Sequence, residues 1–212
     1  MNSFTLKVIA IITMIIDHVG AVIFKEYDIF RIIGRISFPI FCFLLVEGYF
    51  YTRNVYKYLG RLILFAVISE PLYDRLFYGK WLYASKGNVF ITLSLGLIFM
   101  IISEKFHSIL EKYIVFIVFL IMGTYIPMDY GMNGIAMIGG FYLFRTKKTI
   151  SIIYQGLINI LVMGGLQAYG LIGATLTTFY NNKKGCSKFK YLFYILYPLH
   201  LAILLLIILF VK

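Results

Sequence analysis

The sequence predicts an all-α integral membrane protein, a single domain over residues 1–212 folded as a polytopic bundle of about nine transmembrane helices. Three observations predict it. The chain is 61% hydrophobic and 14% charged, with a mean hydropathy of +0.90, well beyond the roughly 45–50% apolar content of soluble domains. Apolar runs of about 14–21 residues alternate with short charged loops, the pattern of helices that cross a hydrocarbon core. The aromatic residues are 20 Phe and 18 Tyr against one Trp, rings suited to the acyl region and its two interfaces.

The elements follow in order. The first span, Leu6 to Phe24, has no small-residue cleavage site and reads as a retained helix rather than a removed signal peptide. Near its far end stand Asp17 and His18. Neighbours on a helix lie about 100° apart, so both can border one cavity without facing each other. A neutral histidine can take a proton from an attacking amine or hydroxyl, and a nearby carboxylate can fix its tautomer. The alternative for the pair is a helix end reaching head groups.

The second span, Ile36 to Tyr51, is entered through Arg31 and Arg35, carries Glu47 and leaves through Arg53. A charge at the bilayer centre costs about 2.5–3.5 kcal/mol on insertion scales, so each must be paired, wetted or catalytic. Arg31 and Arg35 can grip a carboxylate or phosphate, or pair with Asp17. Glu47 either faces substrate or forms a buried ion pair with another helix. The third span, Leu59 to Phe77, ends on Glu70 and Asp74, one helical turn apart with Pro71 between them. Carboxylates at that spacing repel unless one is protonated or a cation intervenes.

The fourth span, Val89 to Ile102, opens on Asn88 and Thr92, and the fifth, Ile114 to Met128, meets the sixth, Gly131 to Phe144, at Asp129. Asp129 reads equally as a helix N-cap or as part of a polar cavity. The seventh, Ile150 to Gly164, and the eighth, Ala168 to Tyr180, are divided by the Gly164-Gly165 pair. That pair marks a turn, or a kink in one long helix that lowers the count to about eight. The last span, Tyr191 to Val211, holds Tyr197 and His200 on one face with Pro198 between them.

An excess of 20 Lys+Arg over 9 Asp+Glu gives a net charge of +11. No basic tract is interleaved with aromatics as in nucleic-acid binders, so the cations are read as topology signals that meet anionic lipid. A cytoplasmic N-terminus places most loop cations inside, from Arg53 and Lys57 through Arg145 to Lys188 and Lys190. In that topology His18, Arg35, Glu70, Asp74, Asn88 and Asp129 converge on the outer half of the membrane, Glu47 and Arg53 lie toward the cytoplasm, and His200 sits between. Cys42, in an apolar run, and Cys186, in a basic loop, have no metal-type spacing and are expected to be free thiols. No P-loop, dinucleotide fingerprint, HExxH or GxSxG occurs. Charges within spans also mark ion and solute pathways, so a small transporter is the competing function. An accessory protein whose charges only lock helices together is a third.

The blocks "LKVIAIITMIIDHVGAVIF", "RIIGRISFPIFCFLLVEGYFYTRNVYKYLGRLILFAVISEPLYDRLF", "NVFITLSLGL" and "YLFYILYPLHL" together resemble the TraX family over most of the chain. The matching positions are Asp17 and His18; Gly34, Arg35, Phe38 and Pro39; Val46, Glu47 and Gly48; and Ser69, Glu70, Tyr73 and Asp74. The founding TraX member acetylates the N-terminal amine of F-pilin, and the family is similar to a wider group of membrane acyltransferases. The resemblance implies a multi-pass protein of the bacterial cytoplasmic membrane. It would use acetyl-CoA and no metal to acetylate an exported peptide, a glycan or a lipid. On that reading His18 is the general base, Asp17 orients it and Arg35 steadies the thioester oxygen. Arg53, Lys57 or Arg145 would hold the donor phosphates. Glu47, Glu70, Asp74, Asn88, Asp129 and His200 would line the substrate cavity.

Overall fold

The computed structural model describes residues 1–186 and 191–211, all helix and loop with no strand among them. Lys188 and Lys190 lie outside the described residues. The helices are α1 (Ser3–Val22), α2 (Asp28–Gly34), α3 (Ser37–Tyr51), α4 (Val55–Tyr78), α5 (Val89–Ser103), α6 (Ile109–Tyr125), α7 (Gly131–Leu143), α8 (Lys148–Gly156), α9 (Gly170–Thr177) and α10 (Leu192–Val211). A π-helical turn, Leu157–Met163, continues α8, and a 3₁₀ turn, Gly165–Tyr169, leads into α9.

Helix falls within every stretch expected to span. By length and composition, however, three described segments suffice to cross a membrane: α1, the α2–α3 run Asp28–Tyr51, and Leu192–Phe210 of α10. α5 and the run Lys148–Met163 are shorter apolar helices. α4 is long enough, but Lys57, Arg61, Glu70, Asp74 and Arg75 dilute its apolar character. Short helices in a bundle are accommodated by tilt or local thinning.

Local chemistry sets the boundaries. Asn2, Asn54, Asn88 and Ser108 cap α1, α4, α5 and α6 with their side-chain oxygens, and Ser108 with Glu111 forms a capping box. Between α8 and α9 the Gly164-Gly165 pair is a break rather than a kink. Both residues have positive φ, +60° and +51°, a conformation that glycine adopts without a Cβ penalty.

α3 is the centre of the bundle and packs against α1, α5, α7 and α9. Its sequence is apolar nearly all round, as a helix enclosed on every side requires, and Phe38, Ile40, Cys42, Leu45 and Val46 are buried. α10 packs on α4 and also touches α1. The outer face of α6 shows Ile109, Leu110, Ile114, Ile117, Val118 and Ile121 exposed, an apolar stripe that suits lipid rather than water.

Candidate active site

The site is assembled where α1 meets α2 on one side and α10 on the other. Asp17 and His18 are both buried, and the turn between successive residues of α1 sends them to different neighbours. Asp17 faces α2, whose Gly34 makes the approach possible. A Cβ at Gly34 would collide with the Asp17 carboxylate. The carboxylate accepts from Arg31 Nη1 at 2.7 Å and from Arg35 Nη2 at 2.5 Å. Arg31 Nη1 also donates to the Asp17 carbonyl at 3.1 Å. Of the readings open for these arginines, pairing with Asp17 is the one observed.

His18 turns the other way. Its Nδ1 lies 2.7 Å from Nε2 of His200 on α10, and the two rings meet edge to edge and nearly coplanar, with centroids 4.9 Å apart and planes 22° apart. Phe77 closes edge-on over His18 at 5.2 Å. The expected orienting role of Asp17 is therefore corrected. Its carboxylate is committed to two guanidinium groups, and the polar partner at His18 Nδ1 is His200.

A cavity of about 230 Å³ is lined by His18, Asp17, Arg31, Arg35, Tyr73, Phe77, Tyr78, Asp129 and Tyr130, among others. Four expected site residues thus meet in one place: His18, Asp17, Arg35 and Asp129. Asp129 caps no helix. The N-cap of α7 is Tyr130, with no side-chain cap bond, and Asp129 Oδ1 accepts from Tyr73 Oη at 3.2 Å. Arg35 is also held from a second direction, with Nη1 donating to Gln167 Oε1 at 3.5 Å.

Glu70, Asp74 and Asn88 do not line this cavity; they fasten the loop between α4 and α5. Glu70 Oε2 accepts from the Asn88 backbone N–H at 3.0 Å and from Asn88 Nδ2. Asn88 Nδ2 also donates to the Ala66 carbonyl at 2.8 Å, and Asp74 Oδ2 accepts from the Tyr83 N–H at 2.6 Å. Backbone and amide donors, rather than a cation, thus offset the two like charges. His200 is also absent from the cavity wall and stands behind His18.

A second cavity of about 640 Å³ is lined by Lys7, Arg53, Lys57, Arg61, Lys184, Glu47 and Cys186, with Tyr58, Phe90 and Tyr194 along its walls. Lys57 and Arg61 are one turn apart on α4, and Arg61 lies over the rings of Tyr58 and Tyr194 at 5.6 and 5.9 Å. Met14, Phe41, Val89 and Tyr197 line both cavities. The two spaces therefore share a wall partway along α1.

Arg53 and Lys57 line the basic cavity, whereas Arg145 is not among its lining residues. Arg145 Nε instead donates to Glu47 Oε1 at 2.7 Å. That hydrogen bond raises the guanidinium further above its ordinary value. Of the two readings open for Glu47, the ion pair is the one observed, and Glu47 also lines the basic cavity.

Sequence reasoning missed Lys7, Arg61 and Lys184 as lining residues, along with Tyr73 and Tyr130. The signal for Lys7 was present, since it is a lone cation in an apolar span and such charges mark function by default. Nothing local marked Gln167 as a support for Arg35, because they are 132 residues apart in sequence.

Comparison with known proteins places the chain among relatives. The family described as TraX protein matches residues 3–208. A "Probable fimbrial assembly protein FimC, serogroup H1" of Dichelobacter nodosus is 31% identical over 96% of this chain and 94% of its own length. An "Uncharacterized protein RP591" of Rickettsia prowazekii (strain Madrid E) is 34% identical over 69% of this chain and 58% of its own. No solved structure matches.

Proposed function

This chain belongs to the TraX family, and on that premise we propose that it is a membrane-embedded acetyltransferase. It transfers the acetyl group of cytoplasmic acetyl-CoA to an amine presented on the outer side of a bacterial cytoplasmic membrane. The acceptor that fits best is the N-terminus of an exported pilin or fimbrial subunit. The family's link to pilin acetylation and the fimbrial-assembly name of the Dichelobacter relative support that acceptor. The observation that carries the reading is the shared wall of Met14, Phe41, Val89 and Tyr197, with cations on one side and His18 on the other.

In this scheme the donor phosphates rest among Arg53, Lys57 and Lys184 at the larger cavity, and its thioester reaches the shared wall. The acceptor amine enters the smaller cavity and attacks the thioester carbon. The C–N bond forms, His18 Nε2 takes the amine proton, the C–S bond breaks, and the CoA thiolate recovers that proton. Arg35, already fixed by Asp17 and Gln167, presents positive charge to the oxygen that becomes negative. A preoriented cation needs no reorganisation at that moment. Asp129, exposed in the cavity, offers a carboxylate to the incoming ammonium, whose first proton passes to water before the neutral amine attacks.

Calorimetric titration of the purified protein with CoA and acetyl-CoA tests the donor half. Saturable binding is expected, weakened about tenfold by Arg53→Ala, the low end for loss of a charge-assisted hydrogen bond. His18→Ala should keep that binding and lower transfer to a peptide amine by about 10²–10⁴-fold, the usual contribution of a general base. Undiminished transfer by His18→Ala removes the base assignment. No binding at millimolar CoA removes the acetyltransferase reading and favours flux across vesicles.

A further inference from the structure

We propose that His200 is the positioning residue of the site: it fixes the tautomer of His18 and shares the positive charge that His18 acquires. The inference rests on the acyl-transfer reading for its consequence, but its geometry stands by itself.

The hydrogen bonds leave one solution for two neutral rings. His200 Nδ1 lies 2.9 Å from the Leu196 carbonyl, and a carbonyl oxygen only accepts, so His200 carries its proton on Nδ1. Its Nε2 is then a lone pair. The 2.7 Å contact to His18 Nδ1 therefore requires a proton on His18 Nδ1. His18 Nε2 is left unprotonated on a ring that lines the smaller cavity. The chain of contacts runs from the Leu196 carbonyl through both imidazoles and ends on the atom that must act as base. Without an acceptor at Nδ1, His18 is free to adopt the opposite tautomer, which presents an N–H and no base.

Supporting packing locks both rings. Tyr197 meets His200 edge-on at 5.3 Å and His18 at 6.2 Å, and itself packs on Phe90 at 4.9 Å. The contact between α10 and α1 thus exists at the level of these side chains, which come from residues 182 positions apart. When Nε2 takes the amine proton, the Nδ1–H continues to donate to His200. An orienting partner that is a neutral ring holds the imidazolium less tightly than a carboxylate does. The same proton is therefore readily returned to the departing thiolate.

The experiment compares wild type with His200→Leu, which has no acceptor, and His200→Gln, whose amide oxygen reaches the place of Nε2. Nitrogen-15 NMR of histidine-labelled protein in detergent reads the tautomer, and steady-state kinetics separate kcat from KM. Wild type and His200→Gln should show His18 protonated at Nδ1. His200→Leu should lose that signature, with kcat lower by about 10–100-fold, the range seen when a metal-ligating histidine loses its orienting partner. KM for acetyl-CoA should be unchanged. Wild-type His18 protonated at Nε2 overturns the proposal, as does His200→Leu with unchanged tautomer and kcat, or one altered only in thermal stability. If wild type transfers no acetyl group at all, the acyl-transfer reading fails, while the tautomer still decides the role of His200.

Discussion

At the scale of single residues, the decisive feature is that Asp17 and His18, adjacent in sequence, serve different partners. Asp17 is an ion-pair hub, its oxygens taken by Arg31 and Arg35. Removing its charge leaves two guanidinium groups without the carboxylate that both donate to, which costs about 3 kcal/mol, the low end for a broken buried pair because Arg31 is partly exposed. Asp17→Asn should therefore lower the melting temperature in detergent and displace Arg35 from the cavity, so that transfer falls. The His18 tautomer should be unchanged, because His200 and not Asp17 sets it. A changed tautomer in Asp17→Asn with normal stability would restore the orienting role to the carboxylate.

At the scale of elements, the α4–α5 loop and the break between α8 and α9 are scaffolding with different reach. Glu70, Asp74 and Asn88 tie the loop to α4 at a distance from the reacting atoms, and Asn88 also caps α5 through the Phe90 N–H at 2.9 Å. Asn88→Ala should cost about 1–2 kcal/mol of stability through the lost cap and its amide bonds. The folded fraction should keep its kcat. A large kcat loss at unchanged stability would return these residues to the substrate cavity. The α8–α9 region is closer to the chemistry. Gln155 Nε2 donates to the Met137 carbonyl, Asn159 Nδ2 to the Gln155 carbonyl, and Gln167 Nε2 to Asn159 Oδ1, at 2.8, 2.8 and 3.1 Å. Gln167 then reaches Arg35. The π-helical turn between α8 and the glycine pair thus presents Asn159 inward, between Gln155 of α8 and Gln167 of the 3₁₀ turn, in keeping with the frequency of such turns at functional sites.

At the scale of the whole molecule, two cavities on either side of one wall predict a sided chemistry that the two cysteines can report. Cys186 is exposed and lines the basic cavity, whereas Cys42 is buried in α3. In sealed inverted vesicles a membrane-impermeant maleimide should label Cys186 and leave Cys42 untouched. Acetyl-CoA should slow that labelling if it occupies the basic cavity. Protection absent at saturating donor would separate the donor site from this cavity. The sequence alone determined the membrane-helical class and the positions of most helices, because hydropathy runs, caps and glycine pairs act within a few residues of themselves. It also singled out His18, Arg35, Asp129, Arg53 and Lys57, because a charged or titratable group in or beside an apolar span is costly wherever it ends up. Which group each one meets was decided only by tertiary structure. Asp17 turns to Arg31 and Arg35, His18 to His200, and Arg145 to Glu47 rather than to a cavity. Those partners come from other elements of the fold, from the neighbouring α2 for Asp17 to α10, 182 residues away, for His18, and a helix fixes the direction of its side chains only relative to its own axis. The packing of α10 and α2 against α1 decides which partner each direction finds.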